Sequence, residues 1–256
     1  MAEVLRLEHV RKKFGQKEVL KDINFSVSSG EIIGYIGSNG AGKSTTIKII
    51  LGLIDDYDGN VYVFGEDVRG KTDYKRKIGY VPEISDMYDN LTAYEYISFI
   101  GMLYGIGSQN AVLKGKEMMS VFGIDDAIDG RIHTFSKGMR QKLSIITGML
   151  HNPDILFLDE PLSGIDANSV LVFKEIMQGL KNAGKTIFYS SHILEVVEKI
   201  SDRILLLNEG SIVIDGSVVD VMQKQSDSSL ESVFNDVTGF HDHEQLAERF
   251  ISAFMS

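Results

Sequence analysis

Cysteine is absent from the 256-residue chain, so it can build neither a disulfide framework nor a thiolate metal site, and the composition fits a reducing compartment. Also missing is an apolar run of the roughly 18 residues needed to cross a bilayer. The opening stretch from Met1 to Arg11 carries no signal-peptide pattern. Basic charge is scarce: 26 Lys and Arg stand against 36 Asp and Glu, a net charge of -10. Neutralising nucleic-acid phosphates needs concentrated positive charge, so no nucleic-acid partner is expected. Low-complexity tracts and internal repeats are lacking as well. What is present is an ordinary globular composition, 43% hydrophobic and 24% charged, at a length that suits one large α/β domain with or without a small appendage.

Short runs rich in Val, Ile, Leu and Phe predict strands at Leu5 to Val10, Val19 to Val27, Glu31 to Ile36, Asn60 to Phe64 and Lys77 to Val81, with a helix from Gly42 to Gly52. From Leu91 to Leu150 the apolar residues recur at helical spacing, which predicts a helical insert. Strand–helix alternation resumes with strands at Ile155 to Leu158, Thr186 to Ser190, Arg203 to Asn208 and Ser211 to Asp215, and helices at Ala167 to Asn182 and Ile193 to Ile200. The tail after Gly216 reads as helical and polar, packed on the outside or used as an interface.

Residues Gly37-Ser38-Asn39-Gly40-Ala41-Gly42-Lys43-Ser44 match the pattern G-x-x-x-x-G-K-[ST], and Thr45 follows. They lie between a predicted strand and a predicted helix, the context that a phosphate-binding loop requires. Glycines let the backbone wrap a phosphate chain, the helix start supplies N–H groups and positive potential, and Lys43 adds a point charge. Ser44 is the expected Mg²⁺ ligand. Ile155-Leu156-Phe157-Leu158-Asp159-Glu160 is an apolar strand ending in two acids, which predicts a buried parallel strand delivering carboxylates to the same sheet edge. Asp159 is expected to hold Mg²⁺ and Glu160 to polarise the water that attacks a γ-phosphate. His192, just past the Thr186 to Ser190 strand, is expected at that edge as a donor to the γ-phosphate or the water.

The stretch Thr134-Phe135-Ser136-Lys137-Gly138-Met139-Arg140-Gln141-Lys142-Leu143 resembles the signature sequence of ABC transporter ATPases, and it lies upstream of Asp159-Glu160 as in that family. Further matches extend over nearly the whole chain. The resemblance implies that Phe14 stacks on adenine, that Glu83 in Gly79-Tyr80-Val81-Pro82-Glu83 occupies the place of a glutamine, that Ser163-Gly164-Ile165-Asp166 crosses a dimer interface, and that His192 is the switch histidine. Ser136 reads independently as an N-cap, and Gly138 as a site of close backbone approach, so the helix start could receive an anion. Because Gly37 to Ser44 already enclose one face of a triphosphate, this second receptor is expected to serve another copy's nucleotide.

The resemblance thus implies a P-loop NTPase core, a mixed sheet flanked by helices, with an N-terminal antiparallel β subdomain and an inserted α-helical subdomain. Residues 1–216 would form the ATPase domain, with the helical part at about 84–151, and residues 217–256 a C-terminal helical extension. ATP and Mg²⁺ are the implied cofactors. The implied partners are transmembrane permease subunits and a second ATPase subunit, identical or different, with the chain peripheral on the cytoplasmic face of the cell membrane. A permease coupling helix would enter a groove between the helical insert and the Glu83 loop, and Tyr88, Tyr94 and Tyr96 are expected on that surface. Leu91-Thr92-Ala93-Tyr94-Glu95, and Ser229 to Phe234 with Thr238-Gly239, resemble segments of bacterial exporter ATPases that handle drugs, peptides or lipid-linked cargo. Two features depart from the commonest pattern: Glu83 adds negative charge beside the phosphates, and Lys137 and Met139 replace a glycine and a glutamine. The alternatives are a soluble ATPase of the same type, or a regulatory ATP-binding module, acting on a non-membrane partner. The first would carry two fused ATPase domains or a coiled-coil insertion, and the second would lack Glu160 or His192.

Overall fold

A computed structural model describes residues 2–224, 229–239 and 243–255. The chain opens with strands β1 (Glu3–Phe14), β2 (Lys17–Ser28) and β3 (Ile32–Gly37), helix α1 (Lys43–Ile50), then strands β4 (Asp58–Val63), β5 (Glu66–Asp67) and β6 (Ile78–Val81). Three helices follow: α2 (Ala93–Leu103), α3 (Ser108–Val121) and α4 (Lys137–Met149). Alternation then returns with β7 (Ile155–Asp159), α5 (Ala167–Asn182), β8 (Thr186–Ser190), α6 (Leu194–Ile200), β9 (Arg203–Asn208) and β10 (Ser211–Ser217). Helices α7 (Val218–Lys224), α8 (Leu230–Thr238) and α9 (His243–Met255) end the described chain.

Two sheets result. One is antiparallel, in the order β2-β1-β4-β5; the other runs β10-β9-β3-β8-β7-β6, parallel except for β10. Every residue of β3, β7 and β8 is buried, which is why these strands read as unbroken apolar runs: helices or a second sheet cover both faces. Ile33 and Tyr35 point to the core shared with the antiparallel sheet and α1, while Ile32 and Ile36 point to the core shared with the helices. An aromatic cluster ties the sheets together, with Phe188 centred 5.9 Å from Phe25, 4.9 Å from Tyr35 and 5.4 Å from Phe157. This is the expected α/β architecture, a mixed sheet flanked by helices beside an antiparallel sheet.

Helix α2 starts at a capping box: Thr92 Oγ1 accepts from the Glu95 N–H at 3.1 Å, and the Thr92 N–H donates to Glu95 Oε2 at 2.8 Å. The Leu91 to Glu95 segment therefore has a local structural reason for its residue types. Strand β1 runs beyond the expected Val10 to Phe14 because register shifts between Leu7 and Val10 and between Val10 and Lys12 keep it paired with β2 past its apolar stretch. The tail also departs from expectation. Val221, Leu230 and Val233 are buried in the same core as Val197 and Ile204, so the segment after Gly216 is not confined to the outside. Helix α9 is not simply polar either: Leu246, Phe250, Ile251, Phe254 and Met255 are all exposed.

Candidate nucleotide site

The site grows from the C-terminal ends of adjacent parallel strands. Strand β3 delivers Gly37 against β9, where a Cβ would sit 2.3 Å from the Leu207 carbonyl oxygen, so the backbone approach excludes any side chain. Gly42, the N-cap of α1, has φ 116, and a Cβ there would meet Leu20 Cδ2 at 2.5 Å. No side chain caps α1, and its first turn holds no acid, so its N–H groups and positive end are available to an anion. Lys43 Nζ donates to the Gly37 carbonyl at 2.6 Å and to the Ser38 carbonyl at 3.3 Å. Behind the loop, Thr46 Oγ1 donates to the Gly42 carbonyl at 3.1 Å and accepts from the buried Tyr35 hydroxyl at 2.9 Å, which fixes the first turn. Burial pushes the Lys43 ammonium below the ordinary lysine range, while Glu160, Asp159 and Glu83 pull the other way.

Strand β7 supplies the acids. Asp159 is buried and accepts from Ser190 Oγ on β8 at 2.9 Å. Glu160 adopts φ 49, a left-handed conformation that a non-glycine residue takes only where its surroundings enforce it. Its N–H donates to the Ser190 carbonyl at 2.9 Å, and its Oε2 accepts from Ser191 Oγ at 3.1 Å and lies 2.8 Å from His192 Nδ1. The end of β8 thus fixes the Glu160 backbone, and the two residues after it hold the carboxylate, while the His192 ring stays largely in solvent.

A cleft of about 700 Å³ joins these parts: Phe14, Asn39, Gly40, Gly42, Lys43, Ser44, Thr45 and Glu83 line it together with Asp159, Glu160 and His192. Gly37, Ser38 and Ala41 form the loop behind that lining. Phe14 is half exposed, with the Lys12 ammonium 4.8 Å from its ring centroid. Lys12 is itself buried and bonds Asp56, so it anchors the ring's surroundings. Lys17 and Val19 also line the cleft and were not among the expected site residues. Their signal was weak: a basic and a branched residue just after Phe14, on the strand whose backbone packs against Gly42. Glu83 is exposed on the segment after β6, and two residues further on Ser85 Oγ donates to Gln141 Oε1 of α4 at 3.0 Å. Among the described residues no group of three or more His, Asp or Glu could hold a metal ion by itself. Ser44 Oγ, Asp159 and Glu83 share the cleft, a hard-oxygen set that suits Mg²⁺ completed by phosphate and water oxygens.

Ser136, Gly138 and Asp166 do not line this cleft. Ser136 is exposed at the start of α4, where its Oγ accepts from the Met139 N–H at 3.2 Å. Gly138 is a close-approach glycine, as expected, but toward its own chain: a Cβ would lie 2.6 Å from the Gly164 carbonyl oxygen. Asp166, expected in a loop that crosses a dimer interface, has both carboxylate oxygens engaged internally. They accept from the Ser169 N–H at 3.0 Å and Ser169 Oγ at 2.8 Å, capping α5, and Lys142 Nζ lies 2.7 Å away. The Lys142 bond, followed by those from Ser169, holds this carboxyl well below the usual carboxylate range.

A strand-derived glycine loop, a lysine over its carbonyls, two strand-end acids and a neighbouring histidine define a P-loop ATPase site, and residues 20–163 match the ABC transporter family model. The chain belongs to the ABC transporter family, as an ATP-binding domain. It is 36% identical over 222 residues to the linearmycin resistance ATP-binding protein LnrL of Bacillus subtilis, covering 86% of this chain and 71% of that one. It is 32% identical to the ABC transporter ATP-binding protein NatA of the same organism, covering 90% of this chain and 96% of that one. The bacitracin transport ATP-binding protein BcrA of Bacillus licheniformis is 33% identical, covering 92% and 76%. A solved structure titled as the ATP binding subunit of an ABC transporter superimposes with TM-score 0.85 at 30% identity, covering 92% of this chain and 99% of that one. Membership implies ATP binding and hydrolysis. Among the described residues no helix is long and apolar enough to cross a membrane.

Proposed function

We propose that this chain is the Mg²⁺-ATP-driven motor of an exporter, working as a pair of ATPase subunits beneath separate transmembrane permease subunits. The observation that carries the reading is a division of labour. Lys43, Ser44, Asp159, Glu160 and His192 converge on one cleft, while the second anion-receptor sequence at Ser136 and Gly138 lies outside it. Two subunits placed head to tail would complete each cleft with the other's Ser136 turn, so ATP would join them and loss of the γ-phosphate would release them.

Within a cleft, the α1 N–H groups and Lys43 hold the phosphates, and Phe14 offers a ring face to the base. Ser44 and Asp159, with Glu83 beside them, would hold Mg²⁺, which supplies charge neutralisation at the phosphate oxygens. Glu160, fixed by Ser191 and the β8 backbone, accepts the proton of the attacking water, and His192 sits beside it to donate toward the γ-phosphate. A second cleft, of about 330 Å³, opens between the Glu83 segment and the helical insert, with Leu51, Tyr80, Met87, Tyr96, Ile100 and Tyr104 among its walls. Its apolar walls suit a helical segment of a permease. Tyr96 is partly buried there, whereas Tyr88 and Tyr94 are exposed outside it. The names of the resistance and bacitracin relatives support export, and a permease partner would hold the chain at the cytoplasmic face of the membrane. The division into residues 1–216, an inserted helical part at 84–151 and an extension at 217–256 stands as our proposal for the domain plan, with Leu230 and Val233 of the extension packed into the core of the first unit.

The test is ATP hydrolysis by the purified chain as a function of protein concentration, with Lys43→Ala and Glu160→Gln alongside. Composite sites give activity rising faster than linearly, and Glu160→Gln loses at least about 100-fold in turnover while ATP holds it as a dimer. Turnover by Glu160→Gln near the parent rate, or a monomer at every active concentration, would sink the reading.

A further inference from the structure

Lys142 is a buried cation that the catalytic scheme above does not use. It lies on α4, nearly two turns past the Ser136 cap, and is only 9% exposed. Burying an ammonium is unfavourable unless it is paired and hydrogen-bonded, and Lys142 meets both conditions. Its Nζ donates to the Phe122 carbonyl at 3.0 Å, at the C-terminal end of α3, and lies 2.7 Å from Asp166 Oδ2. One side chain therefore joins three places: the end of α3, the helix that begins at Ser136, and the loop that leads into α5. Two further contacts lie beside this link. The Gly164 carbonyl packs so closely on Gly138 that a Cβ there would be 2.6 Å away, and the Lys137 stem covers Gly164, with Cδ 3.2 Å from where a Gly164 Cβ would lie. Asp166 in turn caps α5 through Ser169. The loop from Ser163 to Asp166 starts three residues after Glu160, so its placement bears on both the acid pair and the Ser136 turn.

We infer that Lys142 is a positioning residue that locks the Ser163 to Asp166 loop to the start of α4, so that loop and Ser136 turn are presented to a second subunit as one preformed surface. Without the ammonium, the Asp166 carboxylate keeps its cap to Ser169 but loses its tie to α4, and the loop gains freedom relative to Ser136. The geometry of this link stands alone; its consequence for assembly rests on the two-subunit reading proposed above.

The experiment has two arms. In the first, hydrogen–deuterium exchange of the Leu162 to Ser169 segment is followed in the full chain without nucleotide. Lys142→Met should speed exchange there by about tenfold, and Lys142→Arg should restore protection. Asp166→Asn retains an N-cap residue and the Lys142 bond to Phe122 while removing the charge, so it should reproduce the acceleration even where Lys142→Met fails to fold. Adding Lys142→Met to Asp166→Asn should add nothing further, since the two act through one bond. Unchanged exchange in both single variants, or fully additive effects, overturns the proposal. In the second arm, ATP-driven assembly is measured by sizing in a Glu160→Gln background. Lys142→Met should raise the half-assembly concentration by about tenfold, with affinity for a fluorescent ATP analogue unchanged in the monomer. Assembly unaffected despite a loosened loop overturns the positioning role. Should the Glu160→Gln parent itself not assemble, the two-subunit reading falls, and the exchange arm still decides whether Lys142 holds the loop.

Discussion

Two helices in this chain begin at turns that the sequence alone suggests as anion receptors, and they begin differently. Helix α1 starts at Gly42, with a left-handed backbone and no capping side chain. Helix α4 starts at Ser136, whose hydroxyl already satisfies the Met139 N–H. The first leaves its N–H groups for a ligand, and its surroundings, β9 behind Gly37 and Leu20 against Gly42, prevent any side chain from filling that role. The second is self-sufficient, and its hydroxyl can take on an anion as a further partner without the helix start depending on it. Under the two-subunit reading proposed above, the phosphate site that must work in the single chain is the uncapped one, and the one that would be completed on assembly keeps its own cap.

This contrast predicts an asymmetry between variants. Lys43→Ala should weaken ATP binding by the isolated chain by at least about 100-fold, since the charge-assisted contacts to the β/γ oxygens are lost; titration with a fluorescent ATP analogue reads it. Gly42→Ala should come next, lowering stability by about 2 kcal/mol or more by chemical denaturation, because the added methyl meets Leu20 and the φ disfavours an L residue. Phe14→Ala should weaken the analogue by about tenfold with turnover at saturation little changed, the mark of lost base stacking. The smallest effect on the single chain belongs to Ser136→Ala: about 1 kcal/mol of stability from the lost cap, unchanged analogue affinity, and reduced turnover only where subunits assemble. If Ser136→Ala weakened binding by the monomer as strongly as Lys43→Ala does, the contrast between the two helix starts would be wrong.

The parallel strands were legible because burial on both faces forces continuous apolar runs, and Ile155 to Leu158 needed no other signal. The phosphate loop was legible because close contacts demand glycine at Gly37 and Gly42, and a left-handed backbone favours it at Gly40. The internal engagement of Asp166 was hidden, since it depends on Lys142 arriving from another helix, a relation that spacing does not record. Lys17 and Val19 were missed for the same reason: they enter the cleft through the pairing of β2 with β1, which sets Lys17 opposite Phe14. The tail misled because its polar residues outnumber its apolar ones, yet Val221, and Leu230 and Val233 one helical turn apart, reach the core.

The strand order carries a consequence for biosynthesis. Strand β3, which leads into the phosphate loop, is hydrogen-bonded on one side to β8 and on the other to β9. Both are translated long after it, on the far side of the helical insert. A chain still emerging from the ribosome therefore holds a strand that is fully buried in the finished fold with both edges unpaired until Thr186 and Arg203 have been added, which is the interval when edge-to-edge aggregation is a hazard. The β1–β2 hairpin, joined along β1 by β4, can form much earlier and shield one face of that strand, so the order of synthesis itself calls for the antiparallel sheet to fold first.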